Sequence, residues 1–264
     1  MDNLIKRKQL SKREMYLNAV FHPYISRKAT GLEIGPYDRP YLPRSEYPAV
    51  KYADVFSTEE LLDRAAKNPR RDPDLVEKVD FVLESETLEQ VVPHASMQYV
   101  FCSHVLEHVP NLISTLQHLE TILVAGGVVL CAYPDRRFTF DINREQTDYR
   151  ELVERFKRDT TKPDPKTVYD YFLNYRTVKV GKIWQELEGA VSEPVYTRAY
   201  AQLMADLSKE TYVDVHCNIF TDSEFVQIIE CLKNDNMLSL EVAEIENTRA
   251  PRNEFLVVLR KPQS

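Results

Sequence analysis

Between residues 30 and 135, short apolar segments of strand length alternate with stretches that have helical spacing. The strand-like segments are Thr30–Ile34, Val50–Val55, Lys78–Leu83, Tyr99–Ser103 and Val128–Tyr133. The clearest helix is Leu112–Leu123, whose apolar residues follow the i, i+3, i+4, i+7 rhythm, and Gly126-Gly127 is expected to cap its C-terminus. Strands interleaved with helices predict an α/β fold, in which helices cover both faces of a mostly parallel sheet.

The rhythm breaks after residue 135 and resumes near residue 213. The intervening stretch is rich in Arg, Asp and Tyr, with helix-like pieces at Asp148–Phe156 and Thr197–Leu207. A helix at Ser223–Leu232 and strands at Leu238–Ile245 and Glu254–Leu259 follow it, and a leading helix is expected at Lys6–Phe21. We therefore predict an N-terminal helical cover (1–29), a core (30–135), a lid or substrate-binding insertion (136–212) and a segment that completes the sheet (213–264).

Composition excludes several classes of protein. The net charge of −7 argues against a general nucleic-acid binder. No apolar run approaches the roughly 18 residues of a membrane helix, and the N-terminus lacks the apolar region of a signal peptide. The four cysteines are scattered without a C-x-x-C pair, which favours free thiols, a reducing compartment and hence the cytoplasm.

Acidic residues follow two neighbouring strands of the predicted sheet. Glu33 ends the first strand beside Gly35, and Asp54 ends the second, 21 residues later. Ligands of such sheets bind beyond the carboxyl ends of the strands, where a carboxylate can hold ribose hydroxyls. In the loop after Gly35, Pro36 has no N–H for a phosphate, and Asp38 would repel one. The pattern therefore favours S-adenosylmethionine, which has an ammonium group and no phosphate, over a dinucleotide.

Three segments resemble motifs of class I S-adenosylmethionine-dependent methyltransferases. Gly31–Pro40 looks like motif I with Gly-Pro in place of Gly-x-Gly, and Phe101–Val109 is similar to the "S-x-x-x-E-H" segment. Leu119–Ala132 resembles the "L-x-P-G-G" segment, with Ala125 where Pro is commoner. The resemblance implies a Rossmann-like sheet with an antiparallel last strand and a helical lid. Pro134–Asp141 is similar to a signature of bacterial methyltransferases that are often associated with glycan assembly.

The resemblance also implies which residues contact the cofactor. Glu33 and Gly35 would face the methionine moiety, Asp54 the ribose, and Ser103 the transferred methyl group. The Glu84–Leu88 segment would approach the adenine through the Ser85 N–H, although Glu84 stands where Asp is usual. The complete predicted set is Glu33, Gly35, Pro36, Tyr37, Asp54, Glu84, Ser85 and Ser103.

A cluster of titratable residues follows the fourth strand. His104 and His108 would lie one turn apart on a helix, with Glu107 adjacent, and His104 is the preferred general base for an alcohol acceptor. The alternative is that these residues only cap or pack the loop. A metal site that includes the i, i+4 pair His104 and His108 with Glu107 is a less favoured alternative, because no further ligand is visible nearby.

Two further segments are candidates for binding the acceptor. Asp135, Arg136 and Arg137 follow the fifth strand, and the paired Arg residues can hold a carboxylate or phosphate. The alternative is an internal Arg–Asp pairing. His216 would face the cleft if the lid folds over it, whereas a solvent or core position is the alternative. The Tyr-rich stretches 169–175 and 196–200 suit either a sugar-stacking pocket or plain packing.

The sequence therefore predicts an enzyme that methylates a hydroxyl of a small polar or saccharide-linked acceptor. The alternatives are an N-methyltransferase and a non-catalytic scaffold that keeps the methyltransferase fold. An NAD-dependent oxidoreductase is disfavoured by the Pro36 loop.

Overall fold

The polypeptide folds around a seven-stranded sheet, seen in a computed structural model that describes residues 11–84 and 86–263. The strands are β1 (Gly31–Ile34), β2 (Val50–Asp54), β3 (Phe81–Val82), β4 (Met97–Ser103), β5 (Leu123–Pro134), β6 (Glu241–Glu246) and β7 (Glu254–Arg260). The helices among these residues are α1 (Lys12–Phe21), α2 (Thr58–Ala66), α3 (Leu88–Val91), α4 (Leu112–Ile122), α5 (Tyr149–Lys157), α6 (Pro165–Asn174), α7 (Val180–Ile183), α8 (Arg198–Leu207) and α9 (Asp222–Asn234).

The sheet order is β3-β2-β1-β4-β5-β7-β6. Strand β1 pairs in parallel with β2 on one side and β4 on the other, whereas β7 runs antiparallel to β5 and β6. The predicted fold class, including the antiparallel last strand, is confirmed. The chain order reverses between β1 and β4, and ligands of such sheets bind outside the carboxyl ends of the strands at that reversal.

Successive side chains of the central strands point to opposite faces of the sheet, and apolar side chains on each face pack against helices. Val100 and Cys102 of β4 join the core beneath α4 and α9, whereas Tyr99 and Phe101 join the core beneath α1. Gly31 of β1 lies against the Tyr99 ring. A Cβ at this position would lie 1.9 Å from the ring, so the packing requires glycine.

The boundaries of two predicted helices differ from the structure. Helix α1 begins after Ser11, which forms a capping box with Glu14, and the predicted residues 6–10 lie outside the described residues. Met15 of α1 is exposed, whereas Leu17 and Val20 of the same helix are buried. At the other helix, the predicted C-cap at Gly126-Gly127 is wrong, because α4 passes directly into β5 at Leu123.

The two glycines instead lie inside β5, close to the chain end. Gly126 has a φ of 75° and donates its N–H to the Lys261 carbonyl, while the Gly127 carbonyl accepts the Lys261 N–H. The register of β5 against β4 shifts in this region. The glycines therefore permit an irregular strand entry rather than a helix end.

The stretch between β5 and α9 packs in two places. Helix α5 contributes Leu152 to the main core, so this part of the predicted insertion belongs structurally with the sheet. Helices α6 and α8 form a smaller core with the returning segment through Val168, Phe172, Ala201, Val213, Val215 and Cys217. The predicted domain limits stay a prediction.

Among the described residues, no helix has the length and apolar character needed to cross a membrane. All four cysteines are free, as predicted, and Cys231 is the exposed one.

Candidate active site

The loop after β1 is shaped by backbone conformation and by an internal ion pair. Gly35 and Tyr37 both have positive φ, 66° and 50°, and the Gly35 N–H donates to the Ala53 carbonyl at 2.8 Å. Asp38 is buried, and its carboxylate accepts a hydrogen bond from Arg71 at 2.7 Å. The negative charge of Asp38 is thus balanced by Arg71 within the protein.

Glu33 holds this loop in place. One carboxylate oxygen accepts the Tyr41 N–H at 2.8 Å and the other accepts the Leu42 N–H at 2.9 Å. Burial raises the pKa of Glu33 to about 7, although these two bonds oppose the shift. Glu33 is 3% exposed, and the two hydrogen bonds give its side chain a structural role. Its contact with the methionine moiety stays a prediction.

Asp54 lies at the carboxyl end of β2, next to that loop. Its side chain is 7% exposed, and Oδ1 accepts the Phe56 N–H at 3.1 Å. Burial raises its pKa, although the backbone hydrogen bonds oppose the shift. Of the two residues predicted at the adenine, Glu84 is exposed and Ser85 lies outside the described residues.

A polar network joins α1 to the ends of β4 and β7. Arg13 donates one hydrogen bond to Ser103 Oγ at 2.7 Å and two to the Glu254 carboxylate. Glu254 also accepts from His104 Nε2 at 2.9 Å. Arg13 and Glu254 were not singled out from the sequence, because the network depends on contacts between distant elements.

His104, Glu107 and His108 do not lie on a helix, contrary to the sequence prediction. Residues 104–109 form a turn that precedes α4, and His104 has a φ of 54°. The residues nevertheless converge, with His104 Nδ1 3.5 Å and His108 Nε2 3.9 Å from Glu107 Oε1. Burial disfavours the charged form of His104, yet Glu107 and Glu254 raise its pKa to about 9.

His216 reaches the same cluster from the segment that precedes α9. Its Nε2 lies 4.0 Å from Glu107 Oε1, and its Nδ1 lies 2.6 Å from Asp141 Oδ2. His108 is oriented in the same way, because its Nδ1 lies 2.8 Å from Asp214 Oδ1. The sequence predicted that His216 faces the cleft but missed both carboxylates. Asp141 is the last residue of the Pro134–Asp141 segment, and that segment is the sequence feature that could have indicated it.

The cluster forms one wall of a cavity of about 320 Å³. Aromatic residues form another part of the lining; Phe140 stacks on Tyr175 at 4.8 Å, and Phe138 stacks on Trp184 at 4.1 Å. Tyr196 and Tyr200 stack on each other, and Tyr171 packs edge-to-face against Phe140 and Phe172.

The paired Arg residues are engaged within the protein, as the alternative interpretation held. Arg136 donates two hydrogen bonds to Glu224, at 2.8 and 3.0 Å. Arg137 binds the buried Asp135 and also Asp222. Their guanidinium groups thus have carboxylate partners that shape this loop, and their role in holding an acceptor stays a prediction.

A family model described as a methyltransferase domain matches residues 9–179, more than half of the chain. No curated protein matches the chain. Many solved structures resemble it at low sequence identity.

Three of these structures illustrate the likeness. A putative zinc-dependent alcohol dehydrogenase from Rhodobacter sphaeroides has a TM-score of 0.50 at 11% identity, covering 96% of this chain and 91% of that one. The 1,6-didemethyltoxoflavin-N1-methyltransferase of Burkholderia thailandensis, with bound 1,6-didemethyltoxoflavin and S-adenosylhomocysteine, has a TM-score of 0.48 at 12% identity, covering 95% and 79%. Mitomycin 7-O-methyltransferase MmcR has a TM-score of 0.44 at 12% identity, covering 94% and 53%, so this chain spans about half of its length. At these identities the likeness concerns the fold alone.

Proposed function

The chain belongs to the family of methyltransferase domains, and we propose that it transfers the methyl group of S-adenosylmethionine to a hydroxyl of a small polar or saccharide-linked acceptor. The observation that carries this proposal is the cavity beyond β4 and β5. It combines a wall of imidazoles and a carboxylate with a wall of aromatic rings. Such a cavity can both bind a polar ring and receive a proton.

The residues beyond β1 and β2 fit the proposed cofactor. Their donor set is acidic, with Asp54 buried at the end of β2 and Pro36 unable to donate to a phosphate. When bound, S-adenosylmethionine supplies a methyl group on a sulfonium. Asp54 would bind the ribose hydroxyls, Gly35 would let the backbone approach the methionine moiety, and Ser103 would lie near the methyl group.

The aromatic wall would position the acceptor. Phe140 and Tyr175 are stacked on each other and line the cavity together with Phe138. Flat apolar surfaces of this kind pack against the carbon face of a sugar while its hydroxyls face the polar wall. Positioning of this kind matters because methyl transfer is an in-line displacement, in which nucleophile, carbon and leaving group must be aligned.

The polar wall would receive the hydroxyl proton. Both ring nitrogens of His104 face carboxylates, those of Glu107 and Glu254, so His104 orients the wall rather than acting as the base. In His108 and His216, carboxylates hold Nδ1 and leave Nε2 directed at the Glu107 side of the cavity. These two Nε2 atoms are the groups that can take the proton.

The cellular location and domain division are also part of the proposal. Free cysteines in the described structure support a reducing, cytoplasmic location. The small core formed by α6, α8 and the segment before α9 supports a substrate-binding role for much of residues 136–212.

Transfer of a radiolabelled methyl group to matched sugars and amino sugars tests this function. We expect O-methylated products with the wild type and with His94→Ala, since His94 lies on the surface. Phe140→Ala should raise the acceptor KM at least tenfold without changing the affinity for S-adenosylmethionine. Methylation of amines alone would contradict the proposed hydroxyl acceptor.

A further inference from the structure

The side chain of Glu107 has an unusual environment for a carboxylate. The residue is fully buried, and neither oxygen has a hydrogen-bond partner among the residues that the structure describes. Its backbone is fixed, because its carbonyl accepts the N–H groups of Cys217 and Asn218 at 2.6 and 3.1 Å. A buried charge without hydrogen-bond partners is costly, so a compensating cation is expected beside it.

Two imidazoles face this carboxylate. The Nε2 atoms of His108 and His216 lie 3.9 and 4.0 Å from Glu107 Oε1, and the three candidate ligand atoms lie within 4.8 Å of one another. Three atoms that share one metal ion at about 2.0–2.2 Å in tetrahedral geometry lie about 3.4 Å apart. Two sides of the observed triangle are therefore about half an ångström longer than in a metal site, and the third side is no longer than 4.8 Å.

Carboxylates hold the other nitrogen of each imidazole. Asp214 contacts Nδ1 of His108, and Asp141 contacts Nδ1 of His216. Asp141 is itself fixed by the buried Arg144, whose Nη1 donates to it at 2.8 Å. In this arrangement Nδ1 keeps the proton and Nε2 is free to bind a metal, as is usual for histidine ligands.

We propose that Glu107, His108 and His216 bind one divalent transition-metal ion in the wall of the cavity. Two imidazoles and one carboxylate suit Zn²⁺, Fe²⁺ or Mn²⁺ better than Ca²⁺ or Mg²⁺, which prefer oxygen ligands. Three protein ligands leave a further coordination position, and the cavity lies beside all three residues.

His104 is the competing source of positive charge. Its Nδ1 lies 3.5 Å from Glu107 Oε1, but its Nε2 donates to Glu254 at 2.9 Å, so its charge is shared with a second carboxylate. Positive charge on His104 also leaves unexplained why His108 and His216 converge on Glu107. A metal ion accounts for all three side chains.

The chemical role of the ion rests on the proposed function, whereas its binding does not. An acceptor hydroxyl that occupies the open position would have a lower pKa, and its proton would leave to solvent at the side of the cavity where His104 and His108 are partly exposed. The ion, rather than Nε2 of His108 or His216, would then activate the acceptor hydroxyl.

Binding of Zn²⁺, measured by competition with a chromophoric chelator, tests the site without methyl transfer. The full chain carries Cys231→Ser, because this thiol is exposed and would bind zinc by itself. We expect one equivalent of bound Zn²⁺. His108→Gln should weaken binding at least tenfold, and Asp214→Asn should weaken it about 10–100-fold through the loss of orientation. Both side chains are partly exposed, so these variants should fold.

Matched controls are available at exposed positions. His94→Ala and Asp206→Asn remove one imidazole and one carboxylate outside the cavity and should leave the affinity unchanged. Less than about a tenth of an equivalent in the parent protein, or equal affinity in the parent and His108→Gln, would overturn the metal site. If the parent protein binds zinc but does not bind S-adenosylmethionine, only the proposed function is overturned.

Discussion

Glu254 Oε2 lies 2.9 Å from His104 Nε2, although 150 residues separate them in the chain. This contact connects the antiparallel strand β7 to the turn that follows β4, and Arg13 of α1 binds the same carboxylate at 2.8 Å. The site is thus built where three distant parts of the chain meet, and each part contributes a charged side chain.

The first prediction concerns this carboxylate and pH. Burial opposes ionisation, but His104 and Arg13 lower the pKa of Glu254 to about 2. Because the folded pKa is depressed below its ordinary 4.5, its stabilisation is complete above about pH 4.5 and is lost as the pH falls toward 2. Glu254→Gln should therefore reduce the free energy of unfolding by up to about 3 kcal/mol at pH 7, as measured by urea titration. A difference that stays the same at pH 3 would contradict this origin.

The second prediction concerns Gly31 in β1. A Cβ there would lie 1.9 Å from the Tyr99 ring, so Gly31→Ala should destabilise the protein by at least about 2 kcal/mol through overpacking. Gly181→Ala is the control, because nothing lies within 4 Å of its added Cβ. Urea unfolding of both variants should separate them, and equal stabilities would show that Tyr99 packs differently.

The third prediction concerns the cofactor. Asp54→Ala should weaken S-adenosylmethionine binding by about 1.5–3 kcal/mol, because hydrogen bonds from the ribose to a charged group are lost. Calorimetric titration measures the change. Asp63→Ala, on the exposed side of α2 with Lys67 as its partner, is the control and should bind normally. If Asp54→Ala also bound normally, the nucleoside would have to contact a different strand end.

The fourth prediction separates a structural from an acceptor-binding role for Arg137. Its guanidinium donates to the fully buried Asp135 at 2.9 Å, so Arg137→Gln should leave a buried charge without its partner and cost about 3 kcal/mol of stability. The acceptor KM of the folded variant should change less than threefold. A large rise in KM with unchanged stability would restore the role inferred from the sequence.

Local patterns in the sequence were sufficient for the sheet. The strands and the position of Asp54 at the end of β2 follow from apolar runs and polar breaks, which are properties of neighbouring residues. The same reasoning failed at His104, where a positive φ turns the chain and no helix forms before α4. It also failed at Gly126-Gly127, because glycine pairs serve irregular strands as well as helix ends.

The site depended on contacts that the sequence does not display. His216 meets Glu107 from more than a hundred residues away, and Asp141 orients it from a third segment. The sequence near His108 shows no further candidate metal ligand, whereas folding brings His216 next to Glu107 and His108. Similarly, Arg136 finds Glu224 at a separation of 88 residues, which only the tertiary structure reveals.

A crystal structure of the protein with S-adenosylhomocysteine tests the central claim most directly. We predict that the ribose hydroxyls lie within hydrogen-bonding distance of Asp54 and that the sulfur faces the cavity lined by Glu107 and His216. A nucleoside bound elsewhere, or none at millimolar ligand, would contradict the account.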